Sequence, residues 1–415
     1  MPVLLPALIP GISLRAMPTS FFRPMRDEAN GHVLVLIQLN GGNDGLNTVI
    51  PMEYYDAYRS ARTNIAIPED KVLQLEGFDG TGLNPAMPEL QQLFNAGKLT
   101  IIQGVSYPQP NFSHFRATDI WLTGADAGQV LPTGWAGRYL DREYPHFPQD
   151  YPNIQMPDPL AIQVGSLVSP ALQGPALTMG MAISNPNSFY DLIGDKAAPV
   201  SDSRAGDQLA YIREMSVKTD QYAGVIKKAA QKVTKQSDKY PASGKNPLAD
   251  QLKIVARLVA GGLQTRIYLV SMGGFDTHAH QTDPTDTTTG AHAKLLGKLS
   301  EAINAFQDDL TYLQVSNRVV GMTFSEFGRR IQSNASGGTD HGAAAPVFVF
   351  GDGVKPGIVG GNPIWPSKLT VNDNVVMQYD FRALYSTFLE KWFRADQTAT
   401  QAVLLNNYAA LPLIA

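Results

Sequence analysis

The chain has 415 residues, of which 44% are hydrophobic and 17% are charged, and its formal net charge is −4. This composition is typical of a packed globular protein with one large or two ordinary α/β domains, and it argues against nucleic acid as a partner. The chain has no cysteine, which excludes disulfides, thiolate metal sites and cysteine nucleophiles. No apolar run reaches the length of a transmembrane helix.

Residues 1–30 are interpreted as an N-terminal arm or the remnant of a signal peptide. The first ten residues are apolar, but they contain three prolines and no basic stretch, so they do not form a complete signal peptide. Residues 31–415 are interpreted as one domain. Within it, an insertion at about 123–199 is rich in Gly and Pro and is predicted to be irregular, with short strands such as 160–164. We expect this insertion to form a lid over the site.

Apolar strands alternate with amphipathic helices along the chain. Residues 32–39 are almost continuously apolar, which predicts a strand buried on both faces and therefore a parallel sheet covered by helices. A predicted helix at 87–97 and strand at 99–105 then form a crossover unit. The pattern predicts an α/β fold, with further elements at residues 113–122 (helix), 202–235 (helix), 246–261 (helix), 267–270 (strand), 291–313 (helix), 318–324 (strand), 346–350 (strand) and 381–393 (helix).

Clusters of Asp, Glu, Ser and His lie next to the predicted strands. In an open parallel sheet these strand ends share one edge, so separated clusters can form one site. The loop 273–280 is the most informative cluster, because Asp276, His278 and His280 alternate along it. Alternate side chains of an extended segment point the same way, and a divalent cation takes this mixture of O and N ligands. The alternative is a solvated surface loop.

Four more residues are candidate metal ligands, each with a structural alternative. Asp44 lies in a Gly-rich turn, where Asp is also a common turn residue. Glu326 directly follows a strand, and its alternative is a helix-start carboxylate paired with a nearby arginine. Asp340 and His341 lie between glycines that allow close approach to a ligand, or they form a tight turn with a hydrogen-bonded histidine.

Ser113 begins a predicted helix. Serine is a favoured N-cap, but a hydroxyl at a helix N-terminus is also suited to attack or bind a phosphate. His114 and Arg116 are close in sequence, and Arg116 is a candidate clamp for an oxyanion. Asn43 is a weaker candidate beside Asp44. No role is assigned to the three remaining histidines, which are His32, His146 and His292.

Together these motifs resemble those of an uncharacterised bacterial family in the alkaline phosphatase and sulfatase superfamily. The resemblance extends from about residue 33 to residue 404. The motifs that carry it are Leu-Asn-Gly-Gly-Asn-Asp-Gly-Leu-Asn-Thr (39–48), Asn-Phe-Ser-His-Phe-Arg (111–116), Gly-Phe-Asp-Thr-His (274–278), Ser-Glu-Phe-Gly-Arg (325–329) and Gly-Thr-Asp-His-Gly (338–342).

The resemblance implies an alkaline-phosphatase-like three-layer α/β/α sandwich with a mostly parallel sheet. It also implies a serine nucleophile, up to two divalent metals and a small phosphate or sulfate ester as substrate. Zinc is the first expectation, with manganese, magnesium and calcium as alternatives. Members often carry a twin-arginine export signal, which implies a periplasmic or secreted protein. The resemblance assigns Ser113 as the nucleophile. It puts Asp44, Glu326 and His341 at metal positions, together with Asp276 and one of the two histidines His278 and His280.

The remaining site residues follow from the chemistry of such a hydrolase. We expect Arg116 or Arg329 to hold the non-bridging oxygens, with Asn43 and His114 also contacting the substrate. The chain departs from the active enzymes at residues 325–327, where they have an Asp-His pair. This departure leaves open a second hypothesis, an exported scaffold or binding protein with a degenerate site. The sequence does not indicate the leaving group or the oligomeric state.

Overall fold

The structure is a computed structural model that describes residues 31–185 and 221–415. The predicted arm at 1–30, the end of the predicted insertion and the first part of the predicted helix at 202–235 lie outside the described residues. The strands of the described residues are β1 Val33–Leu39, β2 Val49–Ile50, β3 Leu73–Gln74, β4 Gly82–Leu83, β5 Leu99–Ser106, β6 Ala161–Val164, β7 Met181–Ile183, β8 Ile267–Met272, β9 Val319–Phe324, β10 Arg329–Ser333, β11 Thr339–His341, β12 Ala345–Phe350, β13 Gly357–Val359 and β14 Tyr379–Asp380.

A mostly parallel sheet forms the centre of the protein. Its strand order is β13-β5-β12-β9-β1-β8-β6-β7, and β14 pairs with β5. β1 lies in the middle and is parallel to both β8 and β9, whereas β12 is antiparallel to β5 and β9. The prediction of an α/β fold with a mostly parallel sheet is therefore confirmed.

Helices cover both faces of this sheet. Alternate residues of β1 belong to different apolar cores, with Val35 and Ile37 in one and Leu34 and Leu36 in the other. The almost continuous apolar run in β1 is thus explained by a strand that is buried on both sides. The α-helices are α1 Gly45–Thr48, α2 Tyr55–Ala61, α3 Pro88–Asn95, α4 His114–Thr123, α5 Trp135–Glu143, α6 Pro247–Ala260, α7 Ala291–Tyr312, α8 Phe381–Thr387 and α9 Gln397–Leu404; residues 221–232 are also helical.

Two stretches differ from the sequence prediction. Helix α5 lies in the stretch that was predicted to be irregular. The short strand predicted at 160–164 is present as β6, and β6 and β7 from this stretch extend the central sheet. At the C-terminus, α8 continues as a π-helix over Phe388–Trp392, so the single helix predicted for 381–393 changes its winding. Within the described part of the chain, no helix combines the length and apolar character needed to cross a membrane.

Candidate metal centre

The polar loops after β1, β8 and β9 meet at one edge of the central sheet. β1 is in register with both neighbours, because Leu39 lies opposite Met272 and Gln38 lies opposite Phe324. β12 runs the opposite way, so its start lies at this same edge, directly after β11. The clusters of polar residues therefore share one edge, as the sequence predicted.

Three side chains at this edge form a group that can hold a metal ion. One nitrogen of His114, one of His341 and one carboxylate oxygen of Asp276 lie within 4.8 Å of one another. Asp276 is central: its Oδ1 is 3.3 Å from His341 Nε2, and its Oδ2 is 3.5 Å from His114 Nε2. Its side chain is 46% exposed, so an ion has access from solvent.

His278 adds a fourth donor to the group. Its Nε2 atom lies 3.1 Å from Asp276 Oδ1 and 2.8 Å from His341 Nε2. Its other ring nitrogen, Nδ1, lies 3.5 Å from Asp340 Oδ1. The structure therefore brings together Asp276, His278 and His341, which the sequence proposed as ligands, and adds His114, which the sequence assigned to substrate binding.

Hydrogen bonds on the outer side of the group determine which ring nitrogens face inward. His341 Nδ1 lies 2.8 Å from the carbonyl oxygen of Phe112, which can only accept a hydrogen bond, so this nitrogen carries the hydrogen. His114 Nδ1 in the same way lies 2.8 Å from the Glu326 carboxylate. In their neutral forms both histidines therefore present the lone pair of Nε2 to Asp276. This electron-rich arrangement fits a cation at its centre, and the outer acceptors are typical of metal-binding histidines.

The shifted pKa values of Asp276 and His341 favour the protonation states that bind metal near neutral pH. Burial raises the pKa of Asp276, but the hydrogen bond and charge of Arg329, together with His278 and His341, outweigh burial, so the pKa lies below its usual value. Burial lowers the pKa of His341, although its hydrogen bond to Phe112 opposes the shift. Asp276 is therefore ionised and His341 neutral at pH 7, and both are the forms that bind metal.

Arg329 holds the surrounding loops together and is not free to bind a substrate, which differs from the sequence expectation. Its guanidinium is buried and donates to the carbonyl oxygens of Gly41, of Gly42 at 2.6 Å and of Thr339 at 2.8 Å. The same group donates to Asp276 Oδ1 at 2.6 Å. One side chain thus joins the loops after β1 and β8 to β11.

Glu326 supports His114 and is not a member of the metal group, where the sequence had assigned it. It is buried, and its Oε1 accepts hydrogen bonds from the backbone N–H of Gly41 at 2.9 Å and contacts His114 Nδ1. Ser325 donates to its other oxygen at 3.3 Å. Glu326 therefore orients His114 from the outer side of the group.

Asp44, the predicted ligand after β1, is committed to a separate buried network. It has no exposed side-chain surface, and its Oδ2 forms an ion pair with Arg62 Nη1 at 2.5 Å and accepts from Gln281 Nε2 at 2.6 Å. Burial raises the pKa of Asp44, but the charges of Arg62 and His292 and the hydrogen bonds from Arg62 and Gln281 together outweigh burial, so the pKa is lowered. Within the described residues, Oδ1 has no hydrogen-bond partner. The guanidinium of Arg62 thus already supplies the positive charge beside this carboxylate.

Asn43 and His292 belong to the same buried network. Asn43 Oδ1 lies 2.9 Å from His292 Nε2, its Nδ2 donates to Thr48 and its backbone N–H donates to Ser325 Oγ. Asn43 is thus buried and fully engaged, which is unlike the substrate contact expected from the sequence. Sequence reasoning missed Arg62 and gave His292 no role, because neither has a motif that indicates its distant partner.

Ser113 and Arg116 lie on the loop and helix that carry His114. Ser113 is exposed and is the N-cap of α4, but its side chain makes no capping hydrogen bond. Arg116 pairs with Asp119 and donates to the carbonyl oxygens of residues 126, 127 and 129. Its guanidinium is therefore occupied, in contrast to the oxyanion clamp expected from the sequence.

His280 and Asp340 lie outside the group of mutually close ligands. The strict alternation of Asp276, His278 and His280 would require an extended chain, but His280 has a φ of 49°, so the chain turns there and the side chain is exposed. Asp340 is half exposed and lies beside the outer nitrogen of His278, where Asn334 also donates to it at 3.2 Å. The structure thus puts Asp340 behind a histidine and separates His280 from the other donors.

These features define an α/β protein with a histidine and carboxylate group at the polar edge of its sheet. The model of a family described as "Protein of unknown function (DUF1501)" matches residues 190–404, which is more than half of the chain. The chain belongs to this family. No curated protein matches it.

Several solved structures are distantly similar to this chain. A sulfatase from Pseudoalteromonas sp. is 11% identical with a TM-score of 0.38, covering 92% of this chain and 73% of the other. A phosphonate monoester hydrolase from Silicibacter pomeroyi is 13% identical with a TM-score of 0.34, covering 88% and 74%. Alkaline phosphatase from the Antarctic bacterium TAB5 is 10% identical with a TM-score of 0.30, covering 78% and 92%. With TM-scores below 0.5, these matches carry no conclusion about activity.

Proposed function

We propose that this protein is a metal-dependent hydrolase of phosphate or sulfate esters. The observation that carries the proposal is the convergence of two Nε2 lone pairs, from His114 and His341, on the carboxylate of Asp276. His278 would be the fourth ligand. Three imidazoles and a carboxylate are the donors that zinc takes, so zinc is the proposed ion, with manganese, magnesium and calcium as alternatives.

A bound divalent ion would supply positive charge to polarise an ester oxygen and to stabilise a deprotonated hydroxyl. The protein's own residues would set the geometry for this chemistry. Asp276 is held by Arg329, and His114 is held by Glu326. Both ligands are thus oriented before substrate binds, which is what such a centre needs for fast reaction.

Ser113 is the proposed nucleophile. It is exposed, directly precedes His114 and is not engaged in a capping hydrogen bond, so its hydroxyl is available. Its Oγ would form a bond to the phosphorus or sulfur atom as the bond to the alcohol oxygen breaks, and the hydroxyl proton would leave with the alcohol. Water would then cleave the seryl ester, which releases phosphate or sulfate and restores the hydroxyl. The first backbone N–H groups of an α-helix lack intrahelical partners, and those at the start of α4 would bind the non-bridging oxygens. This role replaces the one expected of Arg116 and Arg329.

Metal binding is tested with two histidines from the same loop. We expect the purified protein, dialysed against zinc, to retain near-stoichiometric zinc by elemental analysis. His278→Ala should weaken zinc binding strongly, whereas His280→Ala, the matched control, should bind as the wild type does. Equal losses in the two variants would contradict the proposed ligand set, and a wild-type protein that binds none of the four metals would refute the centre.

Catalysis is tested with aryl phosphate and aryl sulfate on the metal-loaded protein. Ser113→Ala should abolish turnover while the zinc content and the melting temperature stay unchanged, because its side chain makes no cap. If turnover survives in this variant, Ser113 is not the nucleophile. A zinc-loaded wild type that is inert to both esters would favour the alternative of a scaffold with a degenerate site.

Export to the periplasm or the medium is part of the same proposal and rests on the family resemblance. We expect the full-length protein, expressed in its native host, to fractionate with the periplasm or culture supernatant. Recovery in the cytoplasmic fraction would contradict export without affecting the metal centre.

A further inference from the structure

Gln281 is a buried glutamine that joins two chain segments bearing proposed metal ligands. The first segment is the loop after β8, and the second is β11. The side-chain oxygen of Gln281, Oε1, accepts a hydrogen bond from Thr277 Oγ1 at 2.9 Å and another from Thr339 Oγ1 at 3.0 Å. All three residues are buried. One amide oxygen thus links the two segments inside the protein.

The two threonines lie beside ligands whose spacing defines the metal group. Thr277 lies between Asp276 and His278, and Thr339 is two residues before His341 in β11. The backbone N–H of Thr339 donates to the carbonyl oxygen of Thr277 at 3.2 Å, so the segments also pair directly. Across them, His341 Nε2 is 3.3 Å from Asp276 Oδ1 and 2.8 Å from His278 Nε2. Movement of one threonine relative to the other would therefore change these distances.

The other side of the Gln281 amide is fixed by Asp44. Nε2 donates to Asp44 Oδ2 at 2.6 Å, and the lowered pKa of Asp44 keeps this carboxylate ionised, so that it can only accept hydrogen bonds. The amide nitrogen therefore faces Asp44, and Oε1, which only accepts, faces the two hydroxyls. The backbone N–H of Gln281 donates to Gly337 at 2.8 Å, and its carbonyl oxygen accepts from His292 at 3.0 Å. Gln281 is thus held through both its backbone and its side chain.

We propose that Gln281 is a positioning residue of the metal centre, and that it fixes the spacing between the loop after β8 and β11 through the hydroxyls of Thr277 and Thr339. This inference rests on the proposed metal centre and adds the residue that sets its geometry. Gln281 acts through the threonines and is not itself a ligand. Because the distances from zinc to its ligands vary by only about 0.2 Å, a change in this spacing lowers affinity and distorts the coordination.

The test removes one hydroxyl at a time from the full-length protein. Thr277→Val and Thr339→Val should each weaken zinc binding by roughly three- to tenfold, the equivalent of one hydrogen bond, in competition with a chelating dye. In the cobalt-loaded protein, the visible absorption bands, which depend on ligand geometry, should shift in both variants. Thr277→Ser and Thr339→Ser keep the hydroxyl and should retain the wild-type affinity and spectrum. A purely structural role would lower the melting temperature of the Val variants and leave the spectrum unchanged.

Thr100→Val is the matched control for loss of a buried hydroxyl. Thr100 is buried, its hydroxyl donates to the carbonyl oxygen of Lys355, and it lies near the start of β5, at the edge of the sheet opposite the metal group. This variant should keep the wild-type zinc affinity and cobalt spectrum. The inference is overturned if the Val variants at Thr277 and Thr339 also keep them, if the Ser variants lose affinity as the Val variants do, or if Thr100→Val has the same effect.

Hydrogen exchange of the metal-free protein separates this inference from the proposed function. The backbone N–H groups of Gln281 and Thr339 both donate from one segment toward the other. Thr339→Val should therefore speed their exchange by roughly three- to tenfold, and Thr100→Val should leave it unchanged. A wild type that binds no zinc would refute the metal centre, and faster exchange in Thr339→Val would then retain Gln281 as the residue that fixes the two segments. Unchanged exchange in Thr339→Val overturns the inference whether or not metal binds.

Discussion

The buried histidine His292 predicts a specific dependence of stability on pH. It is 1% exposed and lies 2.9 Å from Asn43 Oδ1. Burial lowers its pKa from 6.5 to about 4, although the charge of Asp44 opposes the shift. Between these two pH values the unfolded chain binds a proton that the folded chain does not bind. The contribution of His292 to the free energy of unfolding is therefore complete above pH 6.5 and is lost as the pH falls toward 4.

The magnitude follows from this difference in pKa. At about 1.4 kcal/mol for each pH unit, the full loss over this difference in pKa is about 3–4 kcal/mol. Urea denaturation from pH 7.5 to pH 4.5 in the presence of a chelator would measure it, with His292→Gln as the comparison. The variant is expected to be less stable at pH 7.5 because its contact with Asn43 changes, but its pH profile should be flatter by most of that amount.

The comparison with His292→Gln isolates this residue, because all other residues are the same in both proteins. The pKa of Asp44 lies below 3.8, so this carboxyl stays ionised through the measured range. If the two proteins show parallel profiles between pH 7.5 and pH 4.5, the reasoning from burial is refuted, and His292 must be accommodated as a cation.

Three more predictions concern the buried pair of Asp44 and Arg62 and the proposed metal centre. Arg62→Met should leave Asp44 buried without its counter-ion and lower the free energy of unfolding by about 3–5 kcal/mol, measured by urea denaturation at pH 7. A loss under about 1 kcal/mol would contradict the role of this ion pair. Glu326→Gln removes the carboxylate behind His114 and should weaken zinc binding by about 10–100-fold in competition with a chelating dye; unchanged affinity would mean that Glu326 does not support the ligand. Zinc at about 100 times its dissociation constant should raise the free energy of unfolding by about 2.7 kcal/mol, seen as a higher melting temperature, and no rise would argue against a site in the native state.

The fold was predictable from sequence where apolar periodicity is strong. β1 and β9 are continuous apolar runs, and α7 repeats its apolar residues with helical spacing, so these elements appear close to their predicted limits. Helix α5 was missed because its stretch is rich in Gly and Pro. Helix α5 itself contains Gly137, where a Cβ atom would lie 2.2 Å from the backbone oxygen of Gln173. The helix is amphipathic all the same, because Trp135, Ala136, Tyr139 and Leu140 recur at helical spacing and are buried, so its periodicity was present in the sequence and was overlooked among the surrounding glycines and prolines.

The candidate site was predictable in position and only partly in role. Loops at strand ends share an edge, which brought Asp276 and His341 to one place from distant parts of the chain. The roles of Glu326 and Arg329 depend on which atoms their side chains contact. Glu326 contacts His114, which is 212 residues away in sequence, and Arg329 contacts Asp276, which is 53 residues away. No local pattern contains such information, so a carboxylate that orients a ligand could not be distinguished from one that binds metal.

The two aspartates that follow neighbouring strands show why only one of them suits an exchangeable ion. Asp44 is completely buried and its Oδ2 is 2.5 Å from Arg62, so a metal ion would have to enter the core and compete with a fixed cation. Asp276 also meets an arginine, but Arg329 contacts Oδ1 only, while Oδ2 faces His114 and the side chain is 46% exposed. One carboxylate charge shared between an arginine on one oxygen and imidazoles around both leaves room for a further cation. An internal guanidinium thus provides a permanent charge beside Asp44, whereas under the proposed function the imidazoles around Asp276 would bind an exchangeable ion.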